Sequence, residues 1–250
     1  MYRAIIRIAS IALLGTYVVS FHLLAQLPTQ LDKMTPSVRA EVERLMSTDP
    51  TTRAGAVVSL GNLGPDALPA LPWLLALVED TKRVVSFPQM QEVPIRVLAI
   101  RSLRTLGALK AISQLADDPS NPLQTRINAA VALAMLGAPG SADRVLSLIP
   151  LVAQPSGDPG ELRDLTAVMY CTTKLVDMMD LLLKQAEEWP AVSRDRSFVL
   201  DDWRNWVIDG PGRNFNSTFS QRKDWWATNR GTGSMLTLEY MKEDCANVQR

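Results

Sequence analysis

The stretch RAGAVVSLGNLG, Arg53 to Gly64, returns twice along this chain, as RVLAIRSLRTLG from Arg96 and as RINAAVALAMLG from Arg126. All three fit the pattern R-x-x-A-x-x-x-L-x-x-L-G. With about 3.6 residues per helical turn, the Ala and both Leu positions fall on one face. Ala56, Leu60 and Leu63 therefore share a stripe, as do Ala99, Leu103 and Leu106, and Ala129, Leu133 and Leu136. The small Ala lets a neighbouring backbone approach, the leucines fill the space between helices, and the closing Gly supplies the left-handed residue that ends a helix. Burial of each leucine contributes about 1.5–3 kcal/mol. One helix pair cannot shelter such a stripe, whereas stacked pairs can, so the repetition itself predicts helices piled on helices.

The entries to these helices agree. Thr35-Pro36, Asp49-Pro50 and Asn121-Pro122 each place a capping side chain before a proline suited to the first turn, while Val93-Pro94 opens the second copy without one. In TPSVRAEVERLM, Val38, Val42 and Leu45 turn inward and Arg39 and Arg44 outward. Each copy is followed by a second apolar segment: ALPALPWLLALVED, ALKAISQLADD and SADRVLSLIPLVA. With the D-P or N-P entry and the GPDALPAL exit, the copies resemble bacterial HEAT or HEAT-like repeats across residues 36–153. The resemblance implies an all-α fold, a HEAT-like α-solenoid built as a right-handed stack of antiparallel helix pairs. It also implies that Arg53, Arg96 and Arg126 bond between repeats, the alternative being exposed arginines at helix starts. Two departures stand out: Thr52, Ile95 and Thr125 replace the Val that commonly precedes the Arg, and the acidic partner of the Arg is not consistently present.

The copies start 43 and then 30 residues apart. The surplus falls in TKRVVSFPQMQEV, Thr81 to Val93, expected to be a long loop with Phe87 and Met90 as candidate partner contacts, self-packing being the alternative. Beyond Gly160, the run from Glu161 to Trp189 predicts one long helix laid against the stack, with Leu165, Val168, Leu175, Met179 and Leu182 inward. Five of the six tryptophans then fall between Trp189 and Trp226. That distribution predicts an aromatic-rich C-terminal cap over an otherwise wet end of the stack. Trp203, Trp206, Arg213, Phe215, Trp225 and Trp226 are the candidate partner-binding residues there, because Trp and Arg dominate binding hot spots. Docking at a membrane interface, or stacking on a sugar or pigment, are alternatives.

At the amino terminus, Arg3 and Arg7 precede an uncharged segment from Ile8 to Leu31, matching the roughly 20 residues that cross a bilayer. A transmembrane anchor is expected. The alternative is a cleaved export signal, disfavoured by Leu23 at the −3 position of a cut after Ala25 and by the length of the apolar run. Arginines ahead of the span put the amino terminus in the cytoplasm and the body outside, in the periplasm of a bacterium, or secreted if the segment is removed. The expected organisation is an anchor over 1–31, repeats over 35–157, and the long helix plus aromatic cap over 158–250.

Charge and chemistry narrow the function. The 26 basic residues balance 26 acidic ones, so nucleic acid is not an expected partner. His22 is the only histidine and lies in the expected span, leaving the body without the residue that triads and His-ligated metals require. GPGRNFN from Gly210 and GTGSM from Gly231 lack the G-K-[ST] ending of a phosphate loop, and the adjacent Asp201 and Asp202 point apart on a helix. Cys171 and Cys245 are too few for a disulfide framework and wrongly spaced for zinc; a single bridge and two separate thiols both stay open. No catalytic residue, metal or cofactor is expected. The expected function is a non-catalytic scaffold or accessory subunit, binding other protein subunits of a membrane-associated complex. A ligand- or glycan-binding periplasmic module is the alternative, as is the chromophore lyase or pigment chaperone implied by the resemblance to HEAT-like lyases of the PBS-lyase type.

Overall fold

The computed structural model describes residues 31, 34–86, 91–152, 159–172, 174–188, 219–230 and 239–249, and these are mostly helical. Helix α1 (Pro36–Leu45) is capped by the Thr35 hydroxyl, which accepts from the Val38 amide at 3.4 Å. Helix α2 (Pro50–Leu63) is capped by Asp49, which accepts from the Thr51 and Thr52 amides at 3.2 and 2.9 Å. The Thr52 hydroxyl and these amides hold the Asp49 carboxyl below its usual range. Asn121 departs from this pattern. Its side-chain amide donates to the Leu115 carbonyl at 3.2 Å, closing the end of the preceding helix instead of opening the next.

After α2 the chain runs through a 3-10 segment (Gly64–Ala70), the short helix α3 (Leu71–Ala76) and a 3-10 turn (Leu77–Glu79). Pro69 and Pro72 explain why ALPALPWLLALVED is not one α-helix, since each proline removes a ladder donor. The expected long loop at Thr81–Val93 is corrected to a hairpin. Strands β1 (Arg83–Ser86) and β2 (Gln91–Pro94) pair antiparallel with Arg83 opposite Pro94 and Val84 opposite Val93. β-Branched valines suit a half-buried strand, and both members of the Val84–Val93 pair are buried.

Helices α4 (Ile95–Thr105), α5 (Leu109–Asp117), α6 (Leu123–Met135) and α7 (Ser141–Val152) complete the repeated region. Helix α2 packs along α1 and α4, α5 packs along α6, and α6 also meets α3 and α7. The repeated stripe is buried at its Ala and first Leu positions, where Ala56, Ala99, Ala129, Leu60, Leu103 and Leu133 are each 0% exposed in one core; of the second leucines Leu106 is buried, and Leu63 and Leu136 are partly buried against it. The terminal glycines all take a positive φ, 59° at Gly64, 69° at Gly107 and 67° at Gly137, a region that favours glycine, although Gly64, with ψ −140°, lies outside the left-handed helical basin. Helices α2 and α4 approach closely at Gly61, where the Ser102 hydroxyl donates to the Val57 carbonyl at 2.8 Å and Thr105 Oγ1 to the Gly61 carbonyl at 3.2 Å. Helix α6 is enclosed on nearly every side, with nine of its 13 residues buried.

The single long helix expected from Glu161 to Trp189 is instead two helices, α8 (Pro159–Val168) and α9 (Leu175–Glu188), separated by a 3-10 turn (Met169–Cys171). The break follows from Thr172, extended at φ −119° and ψ 172°, whose hydroxyl donates to the Met169 carbonyl at 2.9 Å and accepts from the Lys174 amide at 3.3 Å. A threonine that bonds its own backbone competes with the helical ladder. Helix α8 packs on α6 and α7, and α9 on α7. Then come α10 (Phe219–Asn229) and α11 (Glu239–Gln249). Helix α11 folds back across α4, α6 and the 3-10 turn at Met169–Cys171.

A disulfide joins Cys171 to Cys245, closing a loop with a sequence separation of 74. Chain entropy alone assigns such a closure about 4 kcal/mol. No helix of the described residues is long and apolar enough to cross a membrane. The expected span lies, apart from Leu31, outside the described residues.

Candidate functional site

The polar groups of the body gather where α11 crosses α4 and α6. Arg96, the first arginine of the second copy, forms an ion pair with Asp244 of α11, whose residue is only 2% exposed. Five residues on, Arg101 Nε donates to the Asn247 carbonyl at 2.7 Å. That carbonyl lies in the last turn of α11, where backbone acceptors lack intrahelical donors and arginine is a favoured partner. Asp244 and Asn247 are both buried, a position polar groups hold only when bonded.

Beside this pair lies a second cluster. Glu79 Oε1 accepts from Gln124 Nε2 at 2.8 Å and from Asn128 Nδ2 at 2.7 Å, and Gln124 also donates to Asn128 Oδ1 at 3.0 Å. Glu79, Arg96, Asn128 and Asp164 line a cleft floored by Val131, Met135 and Val168. The cleft measures about 340 Å³ including solvent at its mouth. Its sheltered part has room for about one water. The carboxylate of Glu79 and the guanidinium of Arg96 are both engaged by their own chain, so the chemistry on offer is the seating of a helix by charge and hydrogen bonding. Among the described residues, no group of three His, Cys, Asp or Glu side chains is placed to hold a metal ion.

The other two repeat arginines close corners as well. Arg53 Nε donates to Asp80 Oδ2 at 2.9 Å, and its terminal nitrogen reaches the Ser47 carbonyl at 2.9 Å. Asp80 in turn accepts the Lys82 amide on its side chain at 3.0 Å and the Arg96 amide on its carbonyl at 2.9 Å. The first copy is thereby tied to the start of the second. Arg126 Nε donates to the Ala116 carbonyl at 3.3 Å. Arg144 makes the fork-shaped pair, to Asp117 Oδ1 at 2.7 Å and Oδ2 at 3.0 Å, and its hydrogen bonds hold the Asp117 carboxyl low against the opposing effect of burial. All three repeat arginines are therefore bonded.

Of the partner-binding candidates, Phe87, Met90, Trp203, Trp206, Arg213 and Phe215 lie outside the described residues, as do His22, Asp201, Asp202 and both glycine-rich turns. Trp225 is half-buried and packs on the core. Trp226 is 4% exposed, and its indole donates to Asp180 Oδ1 at 2.8 Å. Arg230 Nε reaches the other Asp180 oxygen at 2.7 Å. Asp180 thus docks α10 on α9, assisted by Lys223 with Glu187. Burial pushes the Asp180 carboxyl up, but the hydrogen bonds from Arg230 and Trp226 and the charge of Arg230 outweigh it and hold the group below its ordinary 3.8. A depressed carboxyl contributes stability that is complete above the ordinary value and is lost as pH falls through the folded-state value. Acid is therefore expected to release α10, seen as a pH-dependent change in tryptophan emission that Trp226→Phe removes; Asp180→Asn should abolish its acid dependence, and an unchanged titration in Asp180→Asn would refute the assignment.

Sequence reasoning missed Glu79, Arg101, Gln124, Asn128, Asp244 and Asn247. Asn128 did carry a signal, being the one amide within the apolar run INAAVALAM. No family model and no curated protein matches the chain.

Proposed function

We propose that this chain is a non-catalytic helical-repeat scaffold, a HEAT-like solenoid whose outer helix surfaces bind other protein subunits of a membrane-associated complex. Residues 8–31 anchor it, with the body outside the cytoplasm. The observation that carries the reading is the equivalent burial of the three motif copies: their Ala and first Leu positions are fully buried in one core. The repeated residues are spent on one another, which leaves the residues that differ between copies to choose a partner. The Cys171–Cys245 bridge supports an oxidising compartment. The ligand-binding alternative needs a larger chamber than the cleft at Glu79 and Arg96, since drug-sized ligands occupy about 300–1,000 Å³ of mostly enclosed space.

The test is purification of the tagged full chain from detergent-solubilised membranes, followed by native mass spectrometry and cross-linking. A stoichiometric membrane subunit cross-linked to the exposed side of α5, which carries Lys110 and Gln114, is the expected result. A monomer recovered from the soluble fraction with its amino terminus intact would overturn both the partner and the anchor.

A further inference from the structure

We propose that the outward side of strand β1 is a docking edge for an extended, acidic segment of a partner protein, which joins the hairpin as a third strand. The two edges of the hairpin differ, and the difference carries the inference. Arg83 lies opposite Pro94 in the register. Proline has no amide to give a ladder, so the backbone groups of this pair point away from the opposing strand. The bond from the Ile95 amide to the Lys82 carbonyl, one step down the ladder, fixes the same alternation. Val84 and Val93 therefore exchange the ladder bonds, whereas the amides and carbonyls of Arg83 and Val85 face outward from β1, and those of Glu92 face outward from β2.

The β2 edge is blunted. Pro94 offers no donor there, and the Glu92 carbonyl accepts from Arg83 Nη2 at 2.6 Å. Proline and charged side chains are the usual means of closing a sheet edge to other strands. On β1 the backbone stays open: the amides and carbonyls of Arg83 and Val85 have no partner among the described residues. Both residues are exposed, Val85 by 47%.

Charge selects the occupant. Lys82 and Arg83 stand exposed at the start of this edge, and Asp80, just before them in the chain, is engaged by Arg53. A second copy paired through β1 would bring a second Lys82 and Arg83 beside the first, which like-charge neighbours in a sheet resist. An acidic strand gains from the same charges. Taken antiparallel, its residues opposite Arg83 and Val85 each exchange two backbone bonds with β1, and their side chains share the exposed face of the hairpin. A carboxylate opposite Arg83 joins the loose surface pair that Arg83 makes with Glu92 at 4.0 Å, and a branched apolar side chain covers Val85. Main-chain bonds supply the affinity and these two positions the specificity. That the strand belongs to a membrane subunit rests on the scaffold reading; that the edge accepts a strand does not.

The test is amide exchange followed by NMR on the full chain in detergent, with only valine labelled, so that Val84, Val85 and Val93 report. The probe is the capped peptide Thr-Val-Thr-Glu-Thr, whose Val falls opposite Val85 and whose Glu falls opposite Arg83. Saturating peptide is expected to slow the Val85 amide by about tenfold and to leave Val84 and Val93, already slow in the ladder, unchanged. The peptide N-methylated at Val and Glu loses both donors to β1 and should not bind, nor should the peptide with Lys in place of Glu. Val85→Pro removes an outward amide without touching the ladder and should weaken binding at least about fivefold. Continued slow exchange at Val84 and Val93 checks that this variant keeps its hairpin; where it does not, the N-methylated peptide on the unaltered chain decides. No slowing of Val85 by the acidic peptide, or equal binding of its N-methylated form, overturns the proposal. Slowing of Val85 with protein concentration alone assigns the edge to a second copy and overturns it too. None of these readings needs a membrane subunit, so failure of the edge and failure of the scaffold reading are told apart.

Discussion

Leu133→Ala is expected to lower the unfolding free energy by about 2–5 kcal/mol, the range for deleting a fully enclosed leucine. The residue is 0% exposed on α6, the helix that touches α3, α5, α7 and α8, so no single neighbour can shift to fill the space it leaves. Removed methyl groups lose their transfer energy, and the residual cavity adds to the cost because rigid surroundings relax only in part. Leu68→Ala makes the control: that leucine is 39% exposed, and its loss should change stability by no more than about 0.5 kcal/mol. Urea unfolding of the two variants separates the outcomes through their midpoints. Equal effects at the two positions would mean that the motif leucines do not form the load of the core. Leu60→Ala and Leu103→Ala should fall in the same range as Leu133→Ala, because their burial is the same.

Gly61→Ala should cost about 1–3 kcal/mol, although alanine is the better helix former. A Cβ at Gly61 would stand 2.6 Å from the Ser102 hydroxyl, 3.1 Å from its Cβ and 3.3 Å from its Cα. The hydroxyl cannot swing away without giving up the Val57 carbonyl, and the Cα belongs to a helix backbone. Helices α2 and α4 must therefore separate, loosening their shared stripe. Ser102→Gly should rescue part of the loss by removing both nearest atoms, so the double variant will be more stable than the sum of the single effects. Ser102→Ala should rescue less, because it leaves the Cβ in place. Simple additivity in this cycle would refute the close approach.

Much of the fold was legible because it is local. Stripe, proline entry and glycine exit are all written within 12 residues of each motif arginine, and the three copies agree in the structure at their Ala, first Leu and Gly positions. What failed was less local. The Thr81–Val93 segment reads as a loop until its valines are paired strand to strand, and the Glu161–Trp189 run keeps helical spacing through a threonine that bonds its own backbone. The candidate site was almost wholly unreadable. Asp244 meets Arg96 across 148 residues, and EYMKEDCANVQ carries no apolar rhythm that would assign it a face. Only its cysteine hinted at a tie, and one pair of cysteines cannot say whether it is bonded.

The hairpin has a consequence for how such a chain tolerates change. At its base, the Lys82 carbonyl accepts the Ile95 amide at 2.9 Å and the Asp80 carbonyl the Arg96 amide at 2.9 Å, so departure and return are clamped side by side. Beyond that clamp the strands pack one face only, with Val84 and Val93 buried in the core and Val85 47% exposed. Because the pairing from Arg83–Pro94 to Ser86–Gln91 and the two bonds at the base fix where the chain leaves and returns, an epitope or a fluorescent module inserted between Ser86 and Gln91 is expected to leave the spacing of the helices unchanged.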